Sequence, residues 1–294
     1  MRKFIQAISY YSRRLDPEFI IIPQNGLELF TTNGDPVGSL VIDYLSAIDG
    51  VGQEDLFYGS PEDDKPTPTA DTTFWLGFLD RIRASGKGVL ITDYCSNHSK
   101  INDSYTKNAS HQFISFAADH RELDHIPEYP PKPYQVNSRN VENLLNARNF
   151  LYLINPSTFT SKKDMIDSIS TSDYDLLIID PFFSRKDILS DSEITLLKKR
   201  SNGGKRLVVA YISIGEAENY RYYWKKEWEI YPPDWLAEEN TDWKGNFKVR
   251  YWETDWQIII FGIPGAYLDR IIEAGFDGVY LDGIDSFEYF ENQE

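Results

Sequence analysis

Eight short apolar runs, all but the fourth closing on a polar or acidic residue, constrain this chain more than any other feature. They occupy 19–22, 47–55, 88–94, 113–117, 150–154, 175–179, 207–212 and 278–281, with helical or crossover segments between them. Runs of this length alternating with helices are what a parallel sheet buried on both faces requires, since such strands have no solvent face to mark with polar residues. Eight units in 294 residues fit a closed (β/α)8 TIM barrel better than an open doubly wound sheet. No glycine-rich phosphate fingerprint follows any run, which argues against a nucleotide-binding open sheet. The expected architecture is one (β/α)8 domain spanning 1–294.

Between the runs the periodicity changes to that of helices. Phe4, Ile5, Ile8, Tyr11 and Leu15 share one face of a helix over 2–16, ended by Asp16-Pro17. Further helices are expected over 37–46, 73–84 (closed by Gly86), 141–147, 162–170, 191–201 and 266–274. Ser161 with Asp164 reads as a cap and its partner, and Ser190 with Glu193 as a capping box. The stretches 61–71 and 96–112 read as loops. Residues 126–138 hold four prolines and no apolar period, and in isolation would pass for an interdomain linker. An insertion at about 219–262 holds six of the seven Trp.

The formal net charge of −16 disfavours nucleic acid or an anionic membrane as partner and favours a neutral or cationic one. Cys95 is the single cysteine, so no internal disulfide or cysteine-based metal cluster forms. No run approaches the ~18 apolar residues of a membrane span. Polar residues interrupt the opening segment too often for an export signal, so the expectation is either a secreted, periplasmic or cell-surface protein whose leader has been removed, or a cytoplasmic one.

In a (β/α)8 barrel, chemistry sits at the C-terminal ends of the strands. Here those ends carry Asn25, Glu54, Asp93, Asn155, Asp180, Glu216, Asp282 and Asp285. Carboxylates crowded on one rim raise one another's pKa values, an arrangement that suits acid–base chemistry or a bound cation. A carboxylate pair can hydrolyse glycosides, and the same groups can ligate Mg²⁺ or Ca²⁺. His98, His111, His120 and His125 sit at no strand exit on this reading, and no Gly-x-Ser-x-Gly elbow occurs, so histidine-metal and serine hydrolases are disfavoured. Aromatic residues make up 15% of the chain. Tyr222, Trp224 and Trp252 are candidate sugar contacts, together with Trp243 and Tyr251, whereas Trp228, Trp235 and Trp256 are assigned to packing.

Three stretches, 211–221, 246–252 and 275–282, resemble the endo-α-1,4-polygalactosaminidase-like proteins of glycoside hydrolase family 114. The similarity extends to 21–26, with Gln24-Asn25, and to 52–58, with Glu54-Asp55. One departure stands out: in the common arrangement of that family the strand resembling 150–155 comes first, and the Gln24-Asn25 strand follows the one ending in Asp282. The order here is that of a circular permutation, with Met1 and Glu294 as expected neighbours and 126–138 bridging the usual termini.

The resemblance implies Asp282 and Glu54 as the catalytic carboxylates, Asp282 as nucleophile or charge stabiliser and Glu54 as general acid/base. It adds Glu216 and Asp180 in the same cleft, and suggests export. Gln24, Asn25, Asp93, Tyr94, Asn155 and Asp285 complete the expected substrate-binding set. The expected activity is hydrolysis of an α-linked, galactosamine-containing polysaccharide by a monomer without cofactor or metal. The rivals are a carbohydrate-binding barrel without turnover and a divalent-metal hydrolase on the acidic rim.

Overall fold

A computed structural model describes residues 1–292. Each apolar run forms a strand: β1 (Ile20–Pro23), β2 (Gly50–Glu54), β3 (Gly88–Tyr94), β4 (Ile114–Ala118), β5 (Phe150–Leu153) and β6 (Leu176–Ile179) come first. A short hairpin of β7 (Phe182–Ser184) and β8 (Asp187–Ile188) precedes β9 (Leu207–Ser213). Three more, β10 (Glu216–Glu218), β11 (Leu236–Glu239) and β12 (Asn246–Val249), form an antiparallel sheet within the aromatic insertion before β13 (Gly278–Asp282).

Among the described residues the parallel strands make two sheets, β1-β13-β9-β6-β5 and β2-β3-β4. The sheet edges meet at single parallel bridges, Gln24 with Gly52 and Ser115 with Asn149. Backbone bonds from Asp49 to Ile21 (2.9 Å) and from Asn25 to Gly52 (2.8 Å) extend the first of these contacts. Neighbouring strands succeed one another in chain order, and β1 lies beside β13 where first and last parallel strands pair in register from Ile20–Gly278 to Pro23–Leu281.

Burial explains the apolar runs. β1, β3, β4, β5, β6 and β9 are buried at every position, whereas β2 and β13 are buried at every position but the last. Those last residues are Glu54 and Asp282. Within the five-stranded sheet, the Tyr152 ring of β5 lies edge-on to Tyr280 of β13, centroids 5.3 Å apart. A Cβ on Gly52 would fall 1.9 Å from the Tyr280 hydroxyl, so this packing requires glycine there.

The helices Arg2–Leu15, Lys162–Ser170 and Tyr267–Glu273 form where expected, that expected over 191–201 stops at Leu197, and Ser190 with Glu193 makes a complete capping box. Three expectations fail. The stretch 37–46 is helical only within Ile42–Ala47, because Asp35 accepts from the Val37 N–H (2.9 Å) in an Asx turn that delays the helix. Residues 96–112 are not a loop but contain the helix His98–Ser110, capped by Asn97. Its buried face includes Ser104 and Asn108, so no apolar period announces it. The helix expected at 141–147 shrinks to a 3₁₀ turn, Leu144–Asn146.

Residues 126–138 are not a free linker. Tyr134 stacks on Tyr105 (4.7 Å) and its carbonyl accepts from Asn149 (2.7 Å). Arg200, buried beneath the sheet, ion-pairs with Asp175 and donates to the carbonyls of Asn137 (2.8 Å) and Arg139. The strap is therefore pinned to the N-terminal side of β6. Glu294 lies outside the described residues, although the charge of Glu291 reaches the Met1 amino group. No helix among the described residues is long and apolar enough to cross a membrane.

Candidate active site

A cleft of about 360 Å³ opens at the C-terminal ends of the parallel strands. Gln24, Asn25, Glu54, Tyr94, Asn155, Asp180, Glu216, Asp282 and Asp285 all line it, so nine residues singled out in the sequence converge on one space.

At the floor stand the two carboxylates that end β13 and β2. The Tyr211 hydroxyl donates to Asp282 Oδ2 at 2.5 Å. Burial, and then the charge of Glu54, push the Asp282 carboxyl up to about 7. Glu54 accepts the Tyr94 hydroxyl on Oε1 and a long contact from the Asn25 amide on Oε2 (3.4 Å). Burial raises its pKa too, against these hydrogen bonds. Asn25 has φ 61°, a left-handed conformation that asparagine tolerates better than most residues, and its Oδ1 accepts from the Glu54 N–H (3.3 Å). Tyr94 and Tyr211 are themselves held far above the usual phenol range by burial and by these carboxylates, so both act as hydrogen-bond donors.

Other carboxylates in the cleft are tied to cations. Arg221 grips Asp180 (2.8 and 2.7 Å) with one side of its fork and Glu218 (2.5 and 3.0 Å) with the other. Glu216 pairs with Lys248 (2.6 Å) and accepts from Asn240 (2.8 Å). The β10–β12 register places Glu216 directly opposite Lys248, so the pair is a cross-strand one. Burial raises the Asp285 pKa, against the nearby charge of Lys248. Asp180, Glu218 and Glu216 are thus occupied in ion pairs, whereas Asp282 and Glu54 are held by tyrosine hydroxyls.

Four expected contacts lie elsewhere. Asp93 is fully buried and accepts from the Phe57 and Tyr58 N–H groups (2.8 and 3.2 Å), Ser104 (2.6 Å) and Asn108 (3.2 Å). It anchors the loop after β2 and the helix His98–Ser110 instead of facing substrate. Trp224 is buried against Phe247 and Trp228, with centroids 5.0 and 5.4 Å away. Tyr222 stacks on Phe182 beneath the Arg270 guanidinium. Trp252 leans on Tyr251 and Phe290, outside the cleft. Of the aromatics at 219–262, those that line the cleft are Trp243 and Tyr220, each nearly half exposed. Trp228, Trp235 and Trp256 pack on one another, as their assignment to packing required.

Several cleft residues were not singled out in the sequence: Arg121, Tyr211, Arg221 and Lys248. Glu218 and Arg221 stand three apart, a spacing that can mark an ion pair. Lys248 lies in the stretch 246–252, but only the β10–β12 register places it opposite Glu216. The reading that no histidine follows a strand is also overturned, since His120 lies two residues beyond the end of β4.

Residues 157–294 match the model of glycoside-hydrolase family GH114. That segment, a little under half of the chain, is similar to GH114. An uncharacterized protein of Methanocaldococcus jannaschii is 43% identical over 183 residues, covering 60% of this chain and 49% of that protein. One from Thermotoga maritima is 52% identical over 85 residues (29% and 25%), and one from Deinococcus radiodurans 40% over 128 residues (44% and 39%). The matches thus span about half or less of these curated relatives. Asp180, Glu216, Asp282 and Asp285 fall inside the matched segment, and Glu54 and Asn25 lie before it.

Proposed function

We propose that the chain is a glycosidase that cleaves an α-linked, galactosamine-containing polysaccharide, with Asp282 and Glu54 as its two carboxylates. The observation that carries this reading is their placement. They terminate β13 and β2 at the floor of one cleft, each held by a tyrosine hydroxyl, while Asp180, Glu218 and Glu216 are engaged by arginine or lysine. Glu54, protonated on Oε2, delivers that proton to the leaving glycosidic oxygen as the C–O bond breaks. Asp282 forms the new bond to the anomeric carbon, and water then cleaves it as Glu54 takes back a proton. Asp180 and Glu216 orient the sugar.

We further propose a circularly permuted (β/α)8 barrel as the scaffold. The strand succession, with β1 beside β13, and the bridges between the two sheets support it. So does a family match confined to 157–294 when motifs resembling the same family stand at 21–26 and 52–58. A partly deacetylated galactosamine polymer is cationic and suits both the net charge of −16 and the carboxylates of the cleft. Action outside the cell and a monomeric state are part of the proposal.

The test is release of reducing ends from α-1,4-linked galactosamine polymers of graded acetylation, with the faster rate expected on the more cationic ones. Binding without release would instead establish a carbohydrate-binding barrel. Trp243→Ala is expected to raise KM about 10-fold with kcat little changed, because a half-exposed indole at the cleft offers a stacking face to substrate and transition state alike. Steady-state kinetics on soluble oligomers reads this split.

A further inference from the structure

We propose that Asp119, His120 and His125 form a binding site for a divalent transition-metal ion of the Zn²⁺ type, with Asp124 setting the tautomers of both histidines. The four residues lie on the loop that follows β4, outside the carboxylates of the cleft floor. Asp119 Oδ1 is 3.0 Å from His120 Nδ1, and Asp119 Oδ2 is 3.0 Å from His125 Nε2. On the other edge of the two rings, Asp124 Oδ1 meets His120 Nε2 at 2.9 Å and His125 Nδ1 at 2.8 Å. The imidazoles stack with centroids 4.7 Å apart.

A neutral imidazole has one N–H to give. Donated to Asp124, it leaves the lone pairs of His120 Nδ1 and His125 Nε2 facing the Asp119 carboxylate. Ligand atoms of all three residues then lie within 4.8 Å of one another with no proton among them, and a divalent cation completes the arrangement. Two imidazole nitrogens and one carboxylate, with a position left open, match the ligand types and number that Zn²⁺ takes from protein. Bonds of about 2.0 Å at tetrahedral angles put ligand atoms about 3.3 Å apart, close to the 3.0 Å separations here. Asp124 supplies the carboxylate–histidine–metal relation that orients metal-bound imidazoles elsewhere. The competing state is a pair of imidazolium rings sharing two carboxylates.

The position says what the ion does. Asp119 and His120 on one side and Asp124 and His125 on the other bracket Arg121, Glu122 and Leu123, which line the cleft. Arg121 reaches across to Asp55 (2.7 Å) and Asp63 (2.6 Å), and the Glu122 carbonyl accepts from Asn155 (2.6 Å). An ion joining both ends of this loop staples one wall of the cleft. Side-chain exposures of 36% for His120 and 32% for His125 leave it a path from solvent.

The experiment uses tag-free protein stripped with chelator and titrated with Zn²⁺ alone at pH 7.5. Calorimetry is expected to show one equivalent per chain, and the melting temperature should climb with Zn²⁺ concentration as native-state binding requires. Asp124→Asn should weaken binding about 10–100-fold, and His120→Ala/His125→Ala should abolish it. Co²⁺ in place of Zn²⁺ should give visible absorption that the double variant lacks. Equal uptake by wild type and by the double variant, shown folded by circular dichroism, would overturn the assignment. So would imidazole nitrogen resonances showing both rings doubly protonated at pH 7.5 in the presence of excess Zn²⁺.

Discussion

Asp282→Asn is expected to lower kcat by three orders of magnitude or more, and at the same time to make the folded chain more stable above pH 7. The loss of rate follows from removing the group that meets the anomeric carbon in the proposed reaction. The gain in stability follows from linkage. Asp282 titrates at about 7 in the fold, raised first by burial and then by the Glu54 charge, against 3.8 for a free aspartate. A raised carboxyl binds its proton more tightly folded than unfolded. Stability from this group is therefore full below about pH 4 and is lost as pH rises through about 7. Asparagine has no charge to bury and escapes the loss. Full linkage over that interval would approach ~4 kcal/mol, and the partial solvent access of Asp282 brings the expected gain to ~1–2 kcal/mol. Thermal melts at pH 4.5 and pH 8 should diverge between wild type and variant far more at the higher pH. Glu54→Gln should cost a similar factor in kcat. A variant of either residue that kept full activity would remove the proposed mechanism.

Arg221→Ala is the change expected to damage the fold most. It strands Asp180 and Glu218, 9% and 1% exposed, with no cation between them. Breaking a buried pair by deleting one partner costs about 3–5 kcal/mol, because the remaining charge keeps its desolvation penalty. Here one deletion orphans two carboxylates, so urea unfolding should show a loss at the top of that range. Lysine should not rescue it, since a single ammonium cannot reproduce a fork that grips a carboxylate on each side. Neutralising the orphans, with Asp180→Asn and Glu218→Gln added to Arg221→Ala, should recover part of the stability. No recovery would mean that Arg221 acts through packing on Tyr220 and Tyr267 instead.

What could be read in advance depended on how each residue advertises its environment. The strands announce themselves because both faces are buried, and Glu54 and Asp282 stood out as acids at the ends of such runs. The helix His98–Ser110 was hidden because Ser104 and Asn108 are buried to hydrogen-bond Asp93, so polar residues occupy its inner face. Asp93 was misassigned for the same reason: an acid near a strand end looks alike whether it faces a cleft or an interior serine. Among the insertion aromatics, residue type does not separate Trp224 from Trp243, and the packing of Phe247 and Trp228 decides that the first is covered. The pairing of Glu216 with Lys248 depends on an antiparallel register between segments thirty residues apart, which single-residue patterns do not encode.

The strap at 126–138 divides the chain into two lengths that each bring one proposed catalytic carboxylate, Glu54 before it and Asp282 after it. A protease nick among its exposed residues would cut the covalent link without touching the four-residue β1–β13 ladder or the Tyr152–Gln24 hydrogen bond (2.9 Å) that join the two pieces. The halves should remain together as a noncovalent heterodimer. Expressed separately, neither can turn over substrate under the proposed chemistry, and mixing them should restore it, so that catalytic rate becomes a direct gauge of their reassembly.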